Sequence, residues 1–148
     1  MPSKKENVKL LCKSIVTRLE NQKSIAFPPR LRQIVADEVH SLISPYVLTD
    51  EDIREKALLK MGASKEMIDD GGFNESDAFK TAKKMVRESI GDDELNGFYF
   101  VKPLKNVATM LAGYFMRSAS IDEVYETDED LVKMIIDITK NFNPANAH

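Results

Sequence analysis

The chain has 148 residues, 43% of them apolar and 30% charged, with a formal net charge of −3 and a pI near 5.5. This composition is ordinary for a globular protein, and the length suffices to bury about two-thirds of the unfolded surface. No apolar run approaches the roughly 20 residues that span a bilayer, so we expect no membrane contact and a cytoplasmic location. Cys12 is the only cysteine, which excludes an intrachain disulfide and a cysteine-rich metal site.

Apolar spacing, prolines and capping residues predict six helices with two short extended segments between them. The helices are predicted over residues 5–21, 29–44, 50–61, 77–90 and 103–117, and from the Thr127 cap to about residue 142. An extended segment is predicted over residues 24–27, because Pro28 and Pro29 follow it and disfavour helix there. A second one is predicted over residues 98–101, the equivalent position in the second half of the sequence.

The second half of the sequence repeats the first in three matched stretches. Val8, Leu11, Ile15 and Leu19 match Phe79, Ala82, Val86 and Ile90 at an offset of 71; Phe27, Leu31, Ile34, Val35 and Leu42 match Phe100, Leu104, Val107, Ala108 and Phe115 at 73; residues 49–53 match residues 127–131 at 78. The offset changes only between stretches. Insertions therefore fall in loops, as expected when helices are the repeated units.

The repeat predicts an all-α fold of two tandem three-helix units related by pseudo-two-fold symmetry. Residues 1–62 form the first unit and residues 77–143 the second, with a linker over 63–76 and a frayed tail over 144–148. A pseudo-two-fold axis would bring the two extended segments together as a short central antiparallel ribbon, with Phe100 buried.

The first unit consists of a helix, a short extended piece, a second helix and a helix that opens on acidic residues. Residues 15–19, 24–27, 31–43 and 50–60 represent these four parts. Their succession resembles an uncharacterised bacterial family, catalogued as domain of unknown function number 507. The resemblance covers the first unit best and the second in pattern only. It implies the helical unit and assigns no role to any residue, since the family has no established activity.

Candidate catalytic and metal-binding motifs have simpler structural explanations. Residues 92–97 resemble the opening of an EF-hand loop, but Pro103 occupies the twelfth position, where a bidentate glutamate is required. The acidic clusters 50–52 and 128–130 suggest acid/base pairs or a magnesium site, yet acidic first turns after a capping threonine are routine. Phosphate-cradling and nucleophile-elbow motifs are missing. We expect no catalytic residue, no metal and no cofactor, and a buried, inert Cys12 thiol.

The two halves differ in charge. Residues 1–62 hold 11 Lys/Arg against 8 Asp/Glu, and the remainder holds 10 against 16. The basic half carries a candidate partner-binding surface, which comprises Lys5, Lys9 and Lys13 along one flank of the first helix and Arg30 and Arg32 at the start of the second. This spacing favours an acidic partner, although such lysines also simply solubilise a helix.

We predict a non-catalytic protein-interaction module, whose partner is another protein or a second copy of the chain. Nucleic-acid association through the basic half is the alternative, and an enzyme of unrecognised class is the third hypothesis. The low pI and the acidic pair Asp37 and Glu38 on the second helix argue against a DNA-recognition helix.

Overall fold

The structure, a computed structural model, describes residues 4–60, 80–86, 94–95 and 97–143. In this part of the chain the fold is mostly helical, as predicted, with two small antiparallel sheets. In chain order the elements are α1 (Lys5–Asn21), β1 (Ile25–Ala26), α2 (Arg32–Ile43), β2 (Val47–Leu48), α3 (Asp50–Lys60), β3 (Glu94–Leu95), β4 (Phe98–Phe100), α4 (Leu104–Arg117), β5 (Glu123–Val124) and α5 (Asp128–Lys140). Residues 80–86 are also helical. The predicted linker 63–76, the tail 144–148 and half of the EF-hand-like stretch (residues 92, 93 and 96) lie outside the described residues.

Helix α1 spans the residues predicted for it. At its start the Lys4 backbone N–H donates to the Asn7 side-chain oxygen at 2.6 Å, which satisfies a group that the helix leaves unpaired. At its end Lys23 adopts a left-handed φ of 62°, and the chain turns into β1. The predicted apolar stripe is buried and consists of Val8, Leu11, Cys12, Ile15, Val16 and Leu19.

Helix α2 forms where predicted, after a 3-10 turn over Pro29–Leu31, but buries a different face. The repeat matches Ile34 with Val107, but the environments of the two residues differ, because Ile34 is 47% exposed and Val107 is buried. The buried residues are Val35, Ala36, Val39 and Ile43. This row is rotated from Ile34 by one residue, which is about 100° around a helix. The row is complete without Ile34, which therefore points away from the core.

The two predicted extended segments do not pair with each other, so the predicted central ribbon was wrong. Strand β1 pairs with β5, with Ala26 opposite Glu123. Strand β4 is the middle strand of the order β2-β4-β3, with Leu48 opposite Tyr99 on one side. Both edges of β4 are thus occupied, and no edge is left for β1. Instead, β1 and β4 each pair with the short strand that precedes the acid-capped helix of the other half.

One hydrophobic core joins the two halves. Helix α1 packs against α2 and α5, and α4 packs against α2 and α5. Strand β4 is buried on both faces, as predicted, and its Phe98 ring lies 5.8 Å from the ring of Phe142 after α5. Thr127 caps α5, since its Oγ1 accepts from the Asp130 backbone N–H. As a result of this packing, α2 and α4 lie side by side.

Candidate interaction surface

The five basic residues singled out by sequence fall into two groups. The Nζ of Lys5 lies 2.8 Å from Oε2 of Glu55 on α3, and this hydrogen bond raises the pKa of Lys5. Arg32 donates from Nε and Nη2 to Oε1 of Glu20, at 3.1 and 2.8 Å. These two cations therefore serve contacts between helices rather than an open surface.

Lys9, Lys13 and Arg30 are exposed and form no ion pair with any other residue that the structure describes. Lys9 and Lys13 stand four positions apart on α1, about one turn of the helix. The predicted basic surface thus reduces to this pair on α1, with Arg30 at the start of α2.

The acidic cluster at the start of α3 is built into the fold. Asp52 Oδ2 accepts from both the backbone N–H and the hydroxyl of Thr49, each at 2.8 Å, and Thr49 Oγ1 accepts from the Asp52 N–H in return. Asp50 is 7% exposed, accepts from the Tyr99 hydroxyl at 2.7 Å, and lies 3.6 Å from Nζ of Lys83. The bonds between Thr49 and Asp52 cap the N-terminus of α3, as predicted. The bond between Asp50 and Tyr99 connects this turn to β4.

A shallow groove of about 510 Å³ runs between α2 and α4. Its walls combine apolar and acidic side chains: Ile34, Asp37, Glu38, Ser41 and Leu42 from α2 and Tyr114 from α4. We call it the α2–α4 groove. The α2 residues follow the spacing of one helix face over two turns, so the groove follows the axis of α2.

A hydrogen-bond network fixes the carboxylate of Glu38 in this groove. Tyr114 donates its hydroxyl to Oε2 at 2.8 Å, and Ser120 donates to Oε1 at 3.2 Å. Burial, together with this bond to Glu38, raises the pKa of Tyr114 to about 12, so the phenol remains a neutral donor. Both donors are neutral and the negative charge on Glu38 is not cancelled.

The neighbouring carboxylate of Asp37 is likewise held by a neutral donor, since Gln33 Nε2 lies 2.9 Å from Asp37 Oδ1. No Lys or Arg among residues 4–55, 80–86 and 97–143 forms an ion pair with Asp37 or Glu38. The groove therefore carries two negative charges without a cation from the described chain.

A second shallow depression, of about 520 Å³, lies beside the β1–β5 pair. Phe27 and Tyr125 contribute aromatic surface, and Glu20 and Lys23 contribute opposite charges. Tyr125 is 63% exposed. Because its two charges oppose each other, this depression has no net electrostatic preference for a ligand.

Cys12 lies fully buried on α1, and desolvation raises the pKa of its thiol to about 12. A thiol in this state is protonated at neutral pH and is a poor nucleophile. The described residues contain no cluster of three His, Cys, Asp or Glu side chains arranged to hold a metal ion. They also contain no helix that combines the length and the apolar character needed to cross a bilayer.

Comparison of the chain with protein-family models, with curated proteins and with solved structures finds no match. The surfaces described above are therefore the basis for any assignment of function.

Sequence reasoning located the basic residues but missed the α2–α4 groove. It noted Asp37 and Glu38 only as evidence against DNA recognition, and listed Ile34 only among the apolar repeat positions. A signal was present: Val35, Val39 and Ile43 form a complete buried stripe by themselves, which leaves Ile34 beside the acidic pair. Tyr114 and Ser120 could not be found this way, because their contacts to Glu38 join distant positions in the chain.

Proposed function

We propose that this protein is a non-catalytic interaction module of the cytoplasm that binds a protein partner in the α2–α4 groove. The observation that carries the proposal is the exposure of Ile34, a large aliphatic side chain in a concave surface that Leu42 and Tyr114 also line. Exposed apolar and aromatic side chains set among polar groups in a concave surface are typical of protein interaction sites.

The proposed module is built from two pseudo-symmetric repeats. Strand pairing supports this reading, because the pair of Ala26 with Glu123 and the pair of Leu48 with Tyr99 each join the two halves. Ala26 corresponds to Tyr99 at the repeat offset of 73, and Leu48 lies close to the position that corresponds to Glu123. The two strand pairs are therefore equivalent under the proposed repeat. The threonine caps at positions 49 and 127 also occupy matched positions.

We also propose that the chain is related to the family catalogued as domain of unknown function number 507. The order α1, β1, α2, α3 gives the first half the predicted succession of a helix, an extended piece, a helix and an acid-capped helix. This order supports the pattern on which the resemblance depends.

Site-specific photo-crosslinking tests the groove. A photo-reactive amino acid at Ser41, which is exposed at the groove, should capture one partner in cells, and the same group at the exposed Glu129 on α5 is the matched control. The Ile34→Ala change should reduce the Ser41 adduct, and position 129 should give no comparable adduct. Equal adducts at both positions, or no adduct at Ser41, would reject the groove as the binding site.

A second surface is proposed for an acidic partner, protein or nucleic acid, on the exposed side chains Lys9, Lys13 and Arg30. Its support is that these cations form no ion pair with described residues, whereas Lys5 and Arg32 do. Exposed charges of this kind act mainly on association rate and salt dependence.

A further inference from the structure

We infer that the occupant of the α2–α4 groove is a helix of another protein that presents a lysine or arginine between two apolar side chains. This inference rests on the proposed function and specifies the chemistry of the partner. Two observations support it: the order of side chains along α2 and the negative charge of the groove.

The order of the lining residues sets the pattern that a partner must match. Ile34 and Leu42 lie eight residues apart on α2, about 12 Å along the axis, and Asp37 and Glu38 lie between them. A helix lying along α2 would meet an apolar, an acidic and an apolar zone in turn. Helix-in-groove recognition uses anchors at this spacing.

The acidic zone is prepared to receive a cation. Tyr114 and Ser120 hold the two oxygens of Glu38 in place, so little side-chain freedom remains to be lost on binding. Each carboxylate oxygen has a further lone pair, and a guanidinium or ammonium group can use it. A partner cation would then add charge-assisted hydrogen bonds in a partly buried site.

Other occupants fit this charge pattern less well. A second copy that used the same groove about a two-fold axis would place Asp37 and Glu38 against their own copies, which is repulsive. A nucleic acid or an anionic lipid surface would meet the same two negative charges. Charge complementarity therefore favours a basic helix.

The test uses the full chain and a synthetic probe: an amphipathic helix of about 18 residues made of leucine, lysine and one tryptophan. The protein contains no tryptophan, so the indole fluorescence reports on the peptide alone. A peptide with glutamate in place of lysine is the charge control. We expect the lysine peptide to bind at least about tenfold more tightly than the glutamate peptide.

Matched protein variants locate the binding. Glu38→Gln and Ile34→Ser should each weaken the lysine peptide by about fivefold or more, whereas Glu129→Gln and Val101→Ser, at other exposed positions, should change it less than twofold. Backbone amide NMR shifts on titration should concentrate on α2 and α4. Ile34→Ser changes an exposed side chain and should leave thermal unfolding unaltered. Glu38→Gln keeps one of the two acceptor oxygens that Tyr114 and Ser120 use, so its melting temperature is measured to show that it remains folded at the temperature of the titration.

Four outcomes overturn the inference. Equal weakening by Glu38→Gln and Glu129→Gln would show non-specific attraction, and absence of binding would show that no basic helix is accepted. Equal binding of the glutamate peptide at the groove would remove the charge preference while the proposed function stands. Dimerisation of the chain that Ile34→Ser abolishes, seen by sedimentation, would assign the groove to a second copy. Failure of the proposed function itself would appear separately, as loss of the Ser41 photo-adduct.

Discussion

The hydroxyl of Tyr99 on β4 lies 2.7 Å from Oδ1 of Asp50, and this bond joins the central strand of one half to the first turn of α3 in the other. Both side chains are buried. The Tyr99→Phe change removes the donor and leaves a buried carboxylate with one partner fewer, so it should lower the free energy of unfolding by about 1–3 kcal/mol. Chemical denaturation measures this loss.

The matched control is Tyr125→Phe, which alters an exposed tyrosine and should change stability by less than about 0.5 kcal/mol. Similar small effects from both substitutions would show that the bond to Asp50 contributes little.

Phe100 is almost fully buried in β4. The Phe100→Ala change should destabilise the protein by about 3–5 kcal/mol, because it removes buried aromatic surface and leaves a cavity. The adjacent, half-exposed Val101 supplies the control, and Val101→Ala should cost under about 1 kcal/mol. A loss below about 1 kcal/mol for Phe100→Ala would contradict its place in the core.

The two threonine caps should differ in strength. Thr49 is buried and bonds Asp52 in both directions, whereas Thr127 is exposed and accepts one bond. We expect Thr49→Ala to cost about 2 kcal/mol and Thr127→Ala about 0.5–1 kcal/mol. Serine at either position should recover most of the loss in urea unfolding. A larger loss at Thr127 would reverse this ranking.

The exposed cations of α1 are tested with heparin as a polyanion. Replacing Lys9 and Lys13 by glutamate should lower the salt concentration needed for elution, without lowering the melting temperature. Lys5 is left unchanged, because its reversal would place a glutamate beside Glu55. The double change Lys105→Glu and Lys133→Glu, at exposed positions on α4 and α5, is the charge-matched control. Equal elution shifts would show a general effect of net charge.

Cys12 should act as a reporter of unfolding. Because burial raises its pKa to about 12 from an ordinary value near 9, the native thiol should resist alkylation at pH 8 to 9 and react only when the core opens. Between about pH 9 and 12 the unfolded state loses this proton while the native state keeps it. This group's contribution to stability is therefore present below pH 9 and lost as the pH rises towards 12. Rapid native-state labelling would contradict this environment.

Features set by local sequence were predictable. The bounds of α1 follow from its apolar spacing, and the Thr127 cap of α5 follows from the acidic turn after it. The buried face of α2 was harder to place, because Ile34 and Val35 are adjacent and equally apolar. Only the packing of α2 on its neighbours decides between them.

Features that join distant positions were not predictable in the same way. Lys5 meets Glu55 fifty positions away, and Glu38 meets Tyr114 and Ser120 further still. The prediction that β1 pairs with β4 was also wrong, because a two-residue strand has too short a sequence pattern to specify its neighbour. The candidate groove depends on these distant contacts, because Tyr114 and Ser120 hold the Glu38 carboxylate only in the folded chain.

The exchange of strands between the halves bears on how this protein unfolds. Strand β1 of the first half pairs with β5 of the second half, and β4 of the second half pairs with β2 of the first half. Opening one half therefore removes hydrogen bonds from the other. We therefore expect the halves to melt together in a single cooperative transition, with equal calorimetric and van't Hoff enthalpies, although the sequence reads as two units in tandem. The two halves of the chain would then form one thermodynamic unit.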